Sequence, residues 1–259
     1  MARSSFYYQQ NQSKTDKYKE VKFKIKSIYD VHKGRYGYRR ITTELRKIGM
    51  IINHKTVLKL MNNLGLKSLI RRKKYNSYKG EEGKIAPNIL QRKFKAEKPN
   101  EKWVTDITEF KVKDKKLYLS PILDLYNHEI ISYELSERPV FKQVITMLEK
   151  AFKKTKNTKN LVLHSDQGWQ YQMKQYQVIL KKKEIIQSMS RKGNCWDNAI
   201  IENFFGTLKS ELFYLKKINS IEELKREIKE YIYYYNNKRT KSNLNKMSPK
   251  EYRTHYYTN

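Results

Sequence analysis

WVTDITEF, residues 103–110, is the stretch on which the reading of this chain turns. Its β-branched and aromatic residues make it a strand, yet an aspartate stands at its middle. Aspartate is a poor strand former, and a buried charge is costly unless it is paired or metal-bound. Asp106 therefore stands out, and two more acids belong with it. Asp166 ends the apolar run LVLHSD inside LVLHSDQGWQY (161–171), and Glu202 lies early in the helical part of GNCWDNAIIENFFGTLKSEL (193–212). Segments 103–112, 116–124 and 129–135 read as three sequential antiparallel strands, with Asp106 in mid-strand. Residues 140–153 read as an amphipathic helix through Val144, Met147, Leu148 and Phe152, and 161–166 as a buried strand. A helix over 171–183, a short strand over 185–189, a helix from Ala199 to about Tyr214 and a final helix over 221–237 complete the order. The pattern is α/β, with a mixed five-stranded sheet flanked by helices.

The chain carries 56 Lys and Arg against 26 Asp and Glu among its 259 residues, a formal charge of +30. Nucleic acid, bound through its phosphates, is the partner such an excess fits. A basic membrane-surface protein is the rival, but no apolar run approaches the ~18 residues of a spanning helix, and no signal peptide opens the sequence. The one cysteine, Cys195, excludes an internal disulfide and a multi-cysteine zinc site, and a reducing cytoplasm fits. Residues 1–100 hold 26 Lys/Arg and 7 Asp/Glu, so the basic excess is concentrated in the first two-fifths. Three short helices are expected there. The first carries Tyr18, Val21, Ile25, Ile28 and Tyr29. The second follows the glycine turn of HKGRYGYRR and carries Ile41, Leu45 and Ile48. The third is capped by Asn53, carries Val57, Leu60, Met61 and Leu64, and stops at Gly65. Residues 1–70 thus read as an all-α, helix-turn-helix-like DNA-binding region, or equally as a small bundle with a solvated lysine face. In the first case Arg39, Arg40, Lys55 and Lys59 face DNA. Residues 71–99, starting with Arg71 and Arg72, read as a basic linker along DNA or a plain tether, and 100–259 as the α/β core.

Three acids from separate elements suit one chemistry well. Phosphodiester exchange needs a positioned nucleophile and stabilised charge on the attacking and leaving oxygens, which two divalent cations can provide. Mg²⁺ takes oxygen ligands and is held by few carboxylates. Lys209, two helical turns beyond Glu202, either contacts a DNA phosphate or is a surface lysine. His164 either orders the site or is a structural strand histidine. The loop at Gly193-Asn194-Cys195-Trp196 either moves on DNA binding or is an ordinary cap with Trp196 packed down. Asp124, at a strand end, and Asp197, read as a helix cap, are rival acids. Tyr233, Tyr234 and Tyr235 read as core and surface of the last helix, and no glycine-rich phosphate loop is present.

WVTDIT, HSDQG and NAIIENFFGTLKSE, taken together, resemble the catalytic core of DDE transposases related to retroviral integrases. Between Asp166 and Glu202 lie 35 residues, the spacing of that group, and the seven-residue step from Glu202 to Lys209 also matches. YYNNKRTKSNLNKMSPKEYR resembles the closing signature, which includes Arg239, and YGYRRITTELRKIGMIINHKTVLKLMNNLGLKS resembles the preceding helix-turn-helix. Lys241 departs from the His common two residues after the arginine. The chain is similar to the second-frame protein of insertion sequence family three from about Arg3 to Arg253. That resemblance implies an RNase H-like fold with Asp106 and Asp166 on adjacent strands and Glu202 on a helix facing them. It implies two Mg²⁺ or Mn²⁺ ions held by Asp106, Asp166 and Glu202 in one narrow pocket, cleavage at insertion-sequence ends, and joining of the 3′-hydroxyl to target DNA. It further implies contacts of Lys209 and Arg239 with DNA, homo-oligomers that pair two ends, and frequent fusion to an upstream-frame product. A non-catalytic DNA-binding regulator and an RNase H-like nuclease that cuts without joining are the alternatives.

Overall fold

The computed structural model describes residues 16–69, 85–155, 157–191 and 195–258. The chain forms two compact units, 1–70 and 71–259. In the first, helices α1 (Lys19–Val31), α2 (Tyr38–Lys47) and α3 (His54–Asn63) surround Ile25, Tyr36, Ile41, Leu45, Val57, Leu60 and Met61, all buried. All but Tyr36, which lies in the turn before α2, belong to the three- and four-residue steps, so the helical period and the core agree. Asn53 does cap α3, its side chain accepting from the Lys55 N–H at 2.9 Å. The turn between α1 and α2 depends on Gly34. Its φ is +73°, and a Cβ there would lie 2.6 Å from Leu69 Cδ1, so no other residue fits without displacement.

The second unit is a mixed sheet with helices on both faces. Strands β1 (Lys102–Thr105), β2 (Thr108–Val112), β3 (Lys115–Asp124) and β4 (Ile130–Ser136) form its antiparallel part. Strands β5 (Val162–Ser165) and β6 (Ile186–Met189) extend it in parallel from β1. Helices α4 (Phe141–Lys154) and α6 (Lys174–Lys182) close one face around Trp103, Ile122, Leu163 and Met189. Residues of opposite parity, Val104 and Leu123, are buried as well, so the other face is also covered. Helices α7 (Ala199–Leu208) and α8 (Ile221–Asn237) pack there, on β1 and on β3 and β4.

Several expectations need correction. The sheet has six strands rather than five, because 103–112 is two strands broken at Asp106 and Ile107. Both halves keep one register with β3: Thr105 lies opposite Ile122 and Thr108 opposite Leu119. Asp106 therefore falls across from Pro121, which has no N–H to give. The ladder fails at that point, and Asp106 sits in the gap instead of in mid-strand. The helix expected over 171–183 is two, α5 (Trp169–Gln172) and α6, parted at Met173, whose ψ of 134° is extended. The helix from Ala199 ends at Leu208 and continues as a wider π turn, Lys209–Phe213. Helix α8 is not the last, since α9 (Pro249–Thr258) follows it. Finally, the described part of the expected linker is no tether. Leu90 and Ala96 are buried, the Ile89 and Leu90 N–H groups donate to Ser188 Oγ, and the Met189 N–H donates to Pro87 O.

Candidate active site

Strand β1 runs parallel to β5 with Val104 beside His164. Two residues further, just past the ends of both strands, come Asp106 and Asp166, near enough for the Asp166 charge to act on Asp106. Both strands end there, so their carboxyls leave the ladder together. Asp106 Oδ1 accepts from the Ile107 N–H at 2.6 Å, and Asp166 Oδ1 accepts from the Gly168 N–H at 2.9 Å. Each Oδ2 is left without a hydrogen bond among the described residues. A Cβ at Gly168 would lie 3.0 Å from Asp166 Oδ1 and from Gln170 Oε1, so a larger residue there would press on the Asp166 carboxyl.

Burial pushes the Asp106 carboxyl well above the usual aspartate range, the neighbouring Asp166 charge pushes it further, and Glu202 adds to the effect. Asp166 is likewise raised by burial. Two half-buried acids side by side cannot both ionise cheaply without a cation. Glu202 lies one turn into α7, near enough for its charge to act on Asp106. Lys209 opens the π turn with its ammonium 5.2 Å from the centre of the Phe110 ring. Burial lowers its pKa, while Glu109 and Asp106 oppose that fall.

The oxygens of these acids, hard donors with a negative excess in a partly dry setting, fit divalent cations in kind. They do not form the ready pocket expected from the sequence. Among the described residues no group of three His, Cys, Asp or Glu side chains is arranged to hold a metal ion.

Other expected site residues divide. Lys55 and Lys59 are exposed on α3, and Arg39 is exposed on α2 with its Nε on Tyr38 OH. Arg40 is half-buried, its guanidinium 5.3 Å from the Tyr36 ring. Arg71 and Arg72 lie outside the described residues. Arg239 is no surface contact: it is buried, with Nε and a terminal nitrogen on Glu211 at 2.7 to 3.1 Å. Tyr231 OH completes that cluster with a bond to Glu211 at 2.9 Å. An arginine so enclosed and paired is committed to the fold rather than offered on the surface to a phosphate.

Asp197 is not the helix cap either. Its carboxylate takes Arg191, Arg92 and Asn88, while Asn198 holds the cap position without a capping bond. Asp124 ends β3, its carboxylate accepting from the Asn100 and Tyr126 N–H groups and pushed up to about 6 by burial. Trp196 is exposed rather than packed down. His164 is fully buried, its Nδ1 2.8 Å from Ser188 Oγ, and burial lowers its pKa to about 4. Because Ser188 Oγ already accepts two backbone N–H groups, its proton goes to His164 Nδ1, which leaves Nε2 protonated. Tyr171 escaped sequence reading altogether. Its phenol is fully buried and is held protonated by burial and by Asp106 and Asp166. Its only sequence signal is its place five residues after Asp166.

The geometry agrees with what the chain resembles. A family described as Integrase core domain matches residues 96–195, a second of the same description matches 202–256, and an HTH-like domain matches 17–74. The chain is 58% identical over 256 residues to the putative transposase InsK for insertion sequence element IS150 of Escherichia coli, covering 98% of this chain and 90% of that one. It is 39% identical over 231 residues to the transposase for insertion sequence element IS904 of Lactococcus lactis, covering 88% and 91%. It is 35% identical over 222 residues to the transposase InsF for insertion sequence IS3A of Escherichia coli, covering 85% and 77%. Among solved structures, the HTLV-2 integrase catalytic core domain in complex with magnesium aligns with a TM-score of 0.50 at 18% identity, over 61% of this chain and 98% of that one. At that identity the likeness is one of fold.

Proposed function

Since this chain belongs to the IS3-type insertion-sequence transposases, polynucleotidyl transferases with an integrase core domain, we propose that Asp106, Asp166 and Glu202 are the carboxylates on which its DNA chemistry depends. The observation that carries this reading is the parallel register that brings Asp106 beside Asp166, with Glu202 near enough to raise the Asp106 carboxyl further. These three would hold two Mg²⁺ or Mn²⁺ ions, which when bound supply Lewis-acid stabilisation of the attacking and leaving oxygens. The free Oδ2 of each aspartate is the atom available to bind, and the Ile107 and Gly168 N–H groups hold the other oxygen in place. Lys209, its ammonium over the Phe110 ring and within reach of the Asp106 charge, would take a DNA phosphate. Water attacks the phosphorus at the element's end, one P–O bond forming as another breaks. The freed 3′-hydroxyl then attacks target DNA in the same way, so no covalent protein–DNA intermediate is needed.

The exposed Arg39, Lys55 and Lys59 of the HTH-like unit, with Arg71 and Arg72, would bind the element's ends through phosphates and groove edges. Joining two ends requires at least two copies, hence a homo-oligomer acting in the cytoplasm where its DNA lies, alone or fused to an upstream-frame product. Among the described residues no helix is long and apolar enough to cross a membrane. The test is Asp166→Asn, assayed for Mg²⁺-dependent strand transfer on element-end DNA, with and without the upstream product. Joining should be abolished and DNA affinity retained; a variant that still joins ends the assignment.

A further inference from the structure

Away from the three acids, one carboxylate is bonded on every side. Asp197 accepts five hydrogen bonds: at Oδ1 from Arg92 Nε and an Arg191 terminal nitrogen, both 2.9 Å, and at Oδ2 from Asn88 Nδ2, Arg191 Nε and the Arg191 N–H, at 2.8, 2.9 and 3.1 Å. Its side chain is fully enclosed, while the two arginines remain about half exposed. The donors come from separate places. Asn88 and Arg92 belong to the segment laid along β6, and Arg191 lies just past the end of that strand. Asp197 itself sits in the 3₁₀ turn Cys195–Asn198 that runs directly into α7.

We propose that Asp197 is a positioning residue for Glu202: gripped by Arg191, Arg92 and Asn88, it fixes where the Glu202 helix starts relative to the strands that deliver Asp106 and Asp166. The inference rests on the reading of Glu202 as a metal-holding carboxylate. Among the described residues the start of α7 has no side-chain cap. Asn198, at its cap position, makes no capping bond, and both polar atoms of its amide are buried without a partner. Position then falls to the Asp197 knot. Glu202 lies five residues beyond it, about 7.5 Å along a helix axis at ~1.5 Å per residue. A rotation of about 10° at the pivot moves the glutamate by roughly 1 Å, while ligand distances to a metal tolerate only about 0.2 Å.

The test uses the full chain and Mn²⁺ alone, free ion being followed by electron paramagnetic resonance, together with thermal unfolding and affinity for element-end DNA. Asp197→Asn should weaken Mn²⁺ binding by about 10- to 100-fold, the usual effect of losing an outer-shell partner, with DNA affinity unchanged. Arg191→Gln should act in the same direction, and the double variant should lose no more than Asp197→Asn, because both remove one interaction. If Asp197→Asn fails to fold, Arg92→Gln and Arg191→Gln, each trimming a half-exposed arm, decide the matter by the same readout. Unchanged Mn²⁺ affinity in these folded variants, or a lowered unfolding midpoint as the sole change, overturns the positioning role. Asp106→Asn separates the two readings: loss of Mn²⁺ there alone sinks only this inference, whereas no loss in either variant sinks the metal assignment itself.

Discussion

Arg239→Met is the perturbation whose outcome the structure specifies most fully. The guanidinium and the Glu211 carboxylate are both nearly inaccessible, with side-chain exposures of 8% and 1%, and the pair is bidentate, Nε to Oε2 and a terminal nitrogen to Oε1. Tyr231 OH donates to the same carboxylate. Removing one partner of such a pair strands a buried charge and costs about 3–5 kcal/mol. In a unit the size of residues 71–259, each kcal/mol lowers the unfolding midpoint by about 2–4 °C, so the loss should be roughly 6–20 °C. Glu211 left alone must take up a proton more readily, because burial without a cation raises its pKa. A raised folded-state pKa favours the fold at low pH and loses that contribution as pH rises. The deficit of Arg239→Met should therefore be largest at neutral pH and shrink toward about pH 4, the ordinary glutamate range. Adding Glu211→Leu should recover most of the loss, short of the cost of the Tyr231 hydroxyl, which loses its acceptor. Urea and thermal unfolding across pH, with salt-dependent DNA binding alongside, measure all of this. If Arg239→Met stays within about 0.5 kcal/mol of the parent while the slope of log affinity against log salt falls by about 1, the arginine grips a phosphate and the structural account is refuted.

Asp106→Asn should abolish strand transfer yet raise the unfolding midpoint at pH 7 in the presence of chelator, since the native aspartate is held above its ordinary value of 3.8. The gain should vanish once pH falls below that value, where the unfolded aspartate is also protonated; a constant gain across pH would disprove it. Asn53→Ala removes the cap of α3 and should cost about 1 kcal/mol, seen as a lower midpoint for the N-terminal unit. Lys55→Ala and Lys59→Ala should each weaken DNA binding and reduce the salt slope by about 1 without loss of stability; an unaltered slope would remove α3 from the interface.

Most helices and strands were legible because local periodicity and burial coincide. Val144, Met147 and Leu148 lie on the stripe that α4 buries, and Val57, Leu60 and Met61 do the same for α3. Asp106, Asp166 and Glu202 were legible as residue types out of place. What escaped reading depends on partners distant in sequence. The break at Asp106 requires Pro121, fifteen residues away, to lie opposite it. Arg239 looked like a DNA contact because nothing nearby announces Glu211, and the π turn that carries Glu211 has no signature of its own. Asp197 looked like a cap because that is the local use of aspartate before a helix, whereas its bonds reach back to Asn88 and Arg92. Residues 85–99 lack periodicity because they are held by side-chain and backbone bonds to β6 rather than by a pattern of their own.

That last segment has a practical side. Strand β6 is the final member of the sheet on its side, and a bare strand edge offers unpaired amides to any passing chain. The Met189 N–H is instead engaged by Pro87, while Ser188 Oγ takes the amides of Ile89 and Leu90. A fragment trimmed to begin at residue 96 would keep the three acids but uncover this rim, and would also free Arg191 from its neighbour Arg92. Such a truncation invites edge-to-edge association and clumping during purification, so soluble preparations of the α/β unit should start upstream of Ala86.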